Sequence, residues 1–301
     1  MKIVITGSEG MLGCDLSHRL GQEYDVVGID IEDVDIAGKH ARSFIYSIKP
    51  DFIFHLAAYT QVDKAETDTE LAYQVNVKGT ENIVSVCEEF NIPLVFMSTD
   101  YVFDGTKEVP YSEKDSPNPI NFYGKTKWTA EKLIKDRLSK FFIVRSSWLF
   151  GKNGKNFVRT ILSLSEKKER IKVVNDQRGS PTYTQDLAVS LTYFLDCSEY
   201  GIYHVTNTGN CSWYEFAKAI IFFSKSCIDI IPVKTEMMQR QARRPKNSVL
   251  DNSLFIQRFN FRMPEWEDAL KRYLAEEREL HSEDNPGGKH KDKCCSVKIY
   301  K

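Results

Sequence analysis

Five short runs in the first half of this chain are apolar almost throughout rather than at every second position: Ile3–Ile5, Val26–Ile29, Phe52–Leu56, Leu94–Met97 and Phe141–Val144. A strand exposed on one face would alternate, so these runs suit strands covered on both faces of a parallel sheet. Helix-period stretches separate them, among them Met11, Leu12, Leu16 and Leu20, and then Leu71, Val75, Ile83, Val84 and Val86. Strands alternating with helices read as repeated βαβ units, which predicts an α/β fold built on a doubly wound parallel sheet of Rossmann type. Residues 1–150 form that unit.

Beyond residue 150 the rhythm loosens. Helical patterns at Phe157–Leu164, Leu187–Leu195, Trp213–Phe223 and Pro264–Leu280 surround strand candidates at Val173–Val174 and Tyr203–Val205. Residues 151–280 are expected to form a smaller C-terminal α/β lobe for the substrate, interleaved with the first. Residues 281–301, with Pro-Gly-Gly and a basic Cys-Cys segment, have little to bury and read as a disordered tail.

The first apolar run stops at Gly7-Ser8-Glu9-Gly10-Met11-Leu12-Gly13, directly before a helical pattern. GxxGxxG in that context is a variant of the dinucleotide fingerprint. Gly7 serves the tight turn, Gly10 the close approach of a pyrophosphate, and Gly13 the packing of helix on strand. The helix N-terminus then offers free amides to the phosphates. The second run ends at Asp30, placed to accept hydrogen bonds from the adenosine ribose. Asp30 to Asp35 is acidic and holds no Arg or Lys, which predicts NADH in preference to NADPH.

Tyr123 and Lys127 are four residues apart at the start of a helical pattern, so they share one face. A phenol with pKa about 10 is a poor proton-transfer group at neutral pH. A neighbouring ammonium is expected to bring it toward the working range. Upstream, Ser98-Thr99 puts hydroxyls where the fourth strand meets its loop, at the sheet edge where ligands bind.

Net charge is −1, giving no global field for nucleic acid or an anionic membrane. No stretch approaches the ~20 apolar residues of a membrane span. Seven cysteines without CxxC spacing, and scattered histidines, suit reduced thiols in the cytoplasm and no metal site. A metal-binding role for His290, Cys294 and Cys295 is the one exception to weigh.

Further strings complete the pattern: Ala57-Ala58-Tyr59-Thr60-Gln61-Val62-Asp63-Lys64-Ala65-Glu66, Ser98 to Gly105 (STDYVFDG), Tyr123 to Lys127 (YGKTK), Arg145-Ser146-Ser147-Trp148, Val174-Asn175-Asp176-Gln177 and Arg244-Pro245. With these, residues 1–280 resemble the dTDP-4-dehydrorhamnose reductases of the extended short-chain dehydrogenase/reductase class. The resemblance implies Tyr123 as proton donor, Lys127 as its partner and Thr99 as hydrogen-bond donor to a sugar carbonyl. It implies that Gly10, Met11, Leu12, Asp30, Asp35, Ile36, Ala57, Ala58, Tyr59, Thr60, Tyr123 and Lys127 line the cofactor. Thr99, Asp100, Tyr101 and Trp148 would meet a nucleotide sugar, with Val62 and Asp63 nearby. The cofactor would be NADH or NADPH, and a homodimer is allowed. Two rival readings fit the same motifs: an epimerase or reductase for another nucleotide sugar, and a non-catalytic, reductase-like regulatory subunit of methionine adenosyltransferase.

Overall fold

In the computed structural model, residues 1–167 and 170–283 are described. The five apolar runs become β1 (Lys2–Thr6), β2 (Asp25–Ile29), β3 (Phe52–His55), β4 (Leu94–Thr99) and β5 (Phe141–Ser146). They form a six-stranded sheet whose sixth strand, Gly201–His204, lies outside β5; the order continues β5, β4, β3, β1, β2. Every pairing is parallel. The order reverses between β1 and β3, and a crevice at such a switch point is where ligands of doubly wound sheets bind.

Both faces are covered, as unbroken apolar runs require. Ile3 and Ile5 point to one side, where α1 (Met11–Leu20) packs through Leu12, Leu16 and Leu20, and helix Thr184–Thr192 through Leu187 and Leu191. Val4 and Ile53 point to the other. There they meet Ile45 of α2 (Ala41–Ile48), Ile83 and Val84 of the helix Thr80–Phe90, and Ala130 and Ile134 of Phe122–Arg137. A second core gathers Val158, Ile171, Val173, Phe216, Trp266, Leu270, Tyr273 and Leu274 around the parallel pair Arg170–Val174 and Asp229–Val233.

Two expectations need correction, at Leu71 and at the end of the last helix. Leu71 does not join the buried face; it is 53 % exposed, while Ala72, Asn76 and Val77 turn inward. The cause is a π-helical turn, Gln74–Gly79, between α3 (Thr69–Tyr73) and α4 (Thr80–Phe90), which rotates the inward face. Gly201–His204, from beyond residue 150, completes the first sheet. The last helix, Trp266–Glu283, continues past the expected start of the tail. Residues 284–301, including His290, Cys294 and Cys295, lie outside the described residues.

Candidate active site

The glycine-rich turn sits at the carboxyl end of β1, on the switch point. Gly10 is extended and offers no side-chain cap to α1, whose first intrahelical bond runs from the Cys14 amide to the Gly10 carbonyl. The amides of Met11, Leu12 and Gly13 are therefore left for an outside acceptor. Gly7 has φ +72°, and a Cβ there would lie 2.7 Å from the Ala57 amide nitrogen. A Cβ on Gly13 would lie 2.1 Å from the Gly7 carbonyl oxygen, whereas one on Gly10 meets nothing closer than 3.1 Å. The turn is thus tight on its protein side and open on its outer side, as a dinucleotide pyrophosphate requires. Gly13→Ala is expected to cost about 2 kcal/mol of stability through this overpacking and to weaken cofactor binding. Denaturant titration and NADH fluorescence would check both; unchanged values would show that the contact is not tight.

Asp30 accepts hydrogen bonds from the amides of Glu9 (3.0 Å) and Ile31 (2.8 Å), so it stands against the glycine-rich turn. Asp35 is exposed and holds the Ala37 amide at 2.9 Å. Ile36 is buried beside Gly79, and its carbonyl accepts from the Asn82 side-chain amide at 2.8 Å. The Leu12 side chain is likewise core. On the opposite rim run Ala57, Ala58, Tyr59 and Thr60. That loop is held by residues the motifs did not flag. Asn76, on the π-helical turn, accepts from the Tyr59 amide at 2.8 Å and donates to the Tyr59 carbonyl at 3.2 Å and to Thr126 Oγ1 at 2.9 Å. Behind it, His55 bonds Thr6 Oγ1 at 2.7 Å and Thr80 Oγ1 at 3.1 Å. Thr80 donates its proton to the Asn76 carbonyl at 2.7 Å, which makes His55 Nε2 the donor and Nδ1 the acceptor. Burial, then the nearby Lys127 charge, lowers the His55 pKa to about 3, so it stays neutral.

Tyr123 and Lys127 lie on α5 (Phe122–Arg137). Its start is fixed twice: Asn121 Oδ1 accepts from the Gly124 amide at 2.7 Å, and Glu66 accepts from the Phe122 amide at 2.7 Å. Gly124 is required at its position because a Cβ would lie 2.1 Å from the Tyr101 carbonyl oxygen. Thr99 caps the short turn Asp100–Val102 by accepting from the Tyr101 amide. Its hydroxyl donates to Asp100 Oδ1 at 3.0 Å and also interacts with the Tyr123 phenol. Tyr101 stands edge-on to Tyr123, ring centroids 6.1 Å apart. The structure thereby brings Thr99, Asp100, Tyr101 and Tyr123 together.

The electrostatics differ from the expected ones. Burial, and then the Asp100 charge, raise the Tyr123 pKa, so the phenol is firmly protonated; Thr99 offsets this in part. Lys127 is 3 % exposed, with Nζ 4.0 Å from the centre of the Phe96 ring. Its own pKa is pushed down to about 7 by burial, against a raising effect of Glu131. Glu131 is itself paired with buried Arg145 at 2.6 Å and accepts from Ser98 at 2.5 Å. Ser98 therefore serves the core, and Thr99 alone of the hydroxyl pair faces the phenol. Asp100 is buried; Oδ2 has no hydrogen-bond partner among the described residues. Burial raises its pKa to about 7, with nearby Ser248 and Thr99 hydroxyls opposing.

Trp148 has φ +49°, a left-handed conformation unusual for a large side chain. Its ring is sandwiched: a Cβ on Gly179 would lie 2.4 Å from it, and Trp213 stacks on it with centroids 3.5 Å apart and planes within 7°. Val62 is half-buried, and Asp63 is ion-paired with Arg244.

A parallel switch-point sheet, an uncapped glycine-rich turn and a half-buried tyrosine with a buried lysine four residues on along one helix define the short-chain dehydrogenase/reductase class. Residues 1–279 match the family model described as RmlD substrate binding domain, and the chain belongs to that family. It is similar to the spore coat polysaccharide biosynthesis protein SpsK of Bacillus subtilis, with 39 % identity over 91 % of this chain and 97 % of SpsK. It is also similar to a dTDP-4-dehydrorhamnose reductase of Aggregatibacter actinomycetemcomitans, with 37 % identity over 91 % of this chain and 98 % of that protein. A crystal structure of dTDP-4-dehydrorhamnose reductase from Bacillus anthracis in complex with NADP superimposes with a TM-score of 0.89. It is 42 % identical and covers 91 % of this chain and 99 % of that one.

Proposed function

We propose that this protein reduces the C4 keto group of dTDP-4-dehydro-L-rhamnose to give dTDP-L-rhamnose, a step in making nucleotide sugars for surface polysaccharide. The observation that carries the reading is the Thr99–Tyr123 junction at the carboxyl edge of β4, a half-buried phenol beside a buried hydroxyl. The nicotinamide cofactor supplies the hydride. Met11, Leu12 and Gly13 amides hold its phosphates, Asp30 its adenosine ribose, and the Ala57–Thr60 rim with Asp35 and Ile36 lines the rest. Tyr123 gives its proton to the forming alkoxide while Thr99 steadies that oxygen, an effect worth a few kcal/mol in comparable sites. Lys127, on the same helix face as Tyr123, would hold the nicotinamide ribose. Asp100, Tyr101, Val62 and Trp148 would bound the sugar.

A spectrophotometric assay with dTDP-4-dehydro-L-rhamnose tests this. Net consumption of reduced nicotinamide is expected, where an epimerase would show none and a regulatory subunit no turnover. We further propose NADH as the preferred cofactor. Asp30 stands against the phosphate turn and Glu32 and Asp33 follow it, so a 2′-phosphate there meets like charge. kcat/KM is expected to favour NADH by about tenfold, about 1.4 kcal/mol; preference for NADPH would refute the assignment. We place the reaction in the cytosol, although the described cysteines do not all stay reduced: Cys14, Cys87, Cys197 and Cys211 are free thiols, whereas Cys227 is disulfide-bonded. No described helix is long and apolar enough to cross a membrane.

A further inference from the structure

Asp63 and Arg244 are 181 positions apart, yet they meet in a two-pronged ion pair. Arg244 Nη1 donates to Oδ1 at 2.9 Å and Nη2 to Oδ2 at 2.8 Å, the fork-on-fork geometry that makes such pairs directional. The Ala242 amide donates to Oδ1 at 3.1 Å, Nη1 also donates to the Ala242 carbonyl at 2.8 Å, and Arg240 lies 3.6 Å from Oδ2. The Arg244 side chain is 12 % exposed and that of Asp63 38 %, so the guanidinium is the inner member.

The pair joins two segments at the mouth of the site. One is the loop after β3 that carries the Ala57–Thr60 rim. The other is the stretch 242–246, which is also pinned elsewhere. Asn121, the cap of α5, donates to the Arg243 carbonyl at 2.9 Å, and Pro245 packs onto Gly105, where a Cβ would lie 2.4 Å from the proline ring. Past Asp63, the guanidinium interacts with the Tyr101 hydroxyl. The Tyr101 ring meets Tyr123 at 83° between planes, and the Tyr101 carbonyl rests on Gly124. The Tyr101 backbone thus lies against the catalytic helix, its ring against the proton donor and its hydroxyl beside Arg244.

We propose that Arg244 is a positioning residue for the reduction: Asp63 fixes the guanidinium, the guanidinium fixes Tyr101, and the Tyr101 ring sets the direction of the Tyr123 phenol. The inference rests on the reductase reading and on Tyr123 as donor. It assigns to Asp63 a role exerted through Arg244, not by direct contact with the sugar.

A double-mutant cycle tests it. Wild type, Arg244→Lys, Tyr101→Phe and the double variant are assayed with NADH and dTDP-4-dehydro-L-rhamnose, with NADH affinity by fluorescence and thermal midpoints alongside. Each single change is expected to lower kcat about tenfold, with KM for the sugar nucleotide moving less than about threefold and NADH affinity unchanged. The double variant is expected to be no worse than about threefold below the weaker single, because both changes break one chain of contacts. Losses that multiply to about a hundredfold overturn the proposal. So does a retained kcat with a large rise in KM, which would make Arg244 a contact for the substrate itself. If Arg244→Lys does not fold, Asp63→Asn at the more exposed end replaces it. A drop in kcat of about threefold with KM preserved supports the proposal, and a wild-type kcat overturns it. Absence of turnover by the wild type removes the reductase reading and this inference together, whereas multiplying losses in an active enzyme remove the inference alone.

Discussion

Tyr123→Phe is expected to lower kcat by about a thousandfold, within the range for losing a positioned general acid, while NADH affinity stays within about twofold of wild type. The substitution keeps the ring that meets Tyr101 and the first turn of α5, and removes only the hydroxyl. Thr99 could turn its single proton from Asp100 toward the developing alkoxide, but an aliphatic alcohol is too weak an acid to give that proton up in place of the phenol. Its nearest acidic neighbour, Asp100, accepts from Thr99 in this geometry. On the proposed reading the cofactor phosphates sit at the glycine-rich turn, remote from the change, so binding is expected to survive. Single-turnover kinetics and NADH fluorescence titration check both halves. A rate near wild type removes Tyr123 from its role.

Lys127→Met is expected to cost about a hundredfold in kcat and to change how stability of the ligand-free enzyme depends on pH. The thioether matches the length of the lysine and suits the Phe96 ring beneath it. In the unfolded chain the amine keeps its proton up to about 10.5, but in the folded chain only to about 7, because burial disfavours its charged form. Between those values the unfolded state binds more protons, so wild-type stability rises with pH and is lost as pH falls through about 7. The methionine variant lacks that proton, and its stability should be flatter than wild type between pH 7 and about 10. Denaturation midpoints for both proteins across that interval decide the matter. Parallel curves would mean that the folded lysine is not perturbed.

Much of the fold was legible because a parallel sheet buried on both faces leaves apolar runs that no surface element produces. Ile3 to Ile5 is the plainest case, its residues alternately serving two different cores. The error at Leu71 has an equally local cause: periodicity arguments assume an α-helix, and a π-helical turn breaks the phase without any Gly or Pro to announce it. In the site, Tyr123 and Lys127 could be paired because they share one helix face. Asn76, Glu66 and Arg244 could not be placed, since each acts on a segment far away in the chain and polar residues of that kind usually face solvent. Asn121 did carry a signal, an asparagine at the first position before a helix. The protonation states needed the three-dimensional surroundings: four-residue spacing implied an ammonium that stabilises a phenolate, whereas enclosure holds the phenol neutral and weakens the amine.

The sixth strand of the central sheet has a bearing on biosynthesis. A chain that has left the ribosome only as far as Phe150 carries β5 as an open rim, its outward row of amides and carbonyls waiting for Gly201–His204. The helix Thr184–Thr192 that covers α1 has not been made either. The sheet built from residues 1–150 therefore cannot be completed ahead of the rest, and translation delivers its final rung from a segment about fifty residues further on.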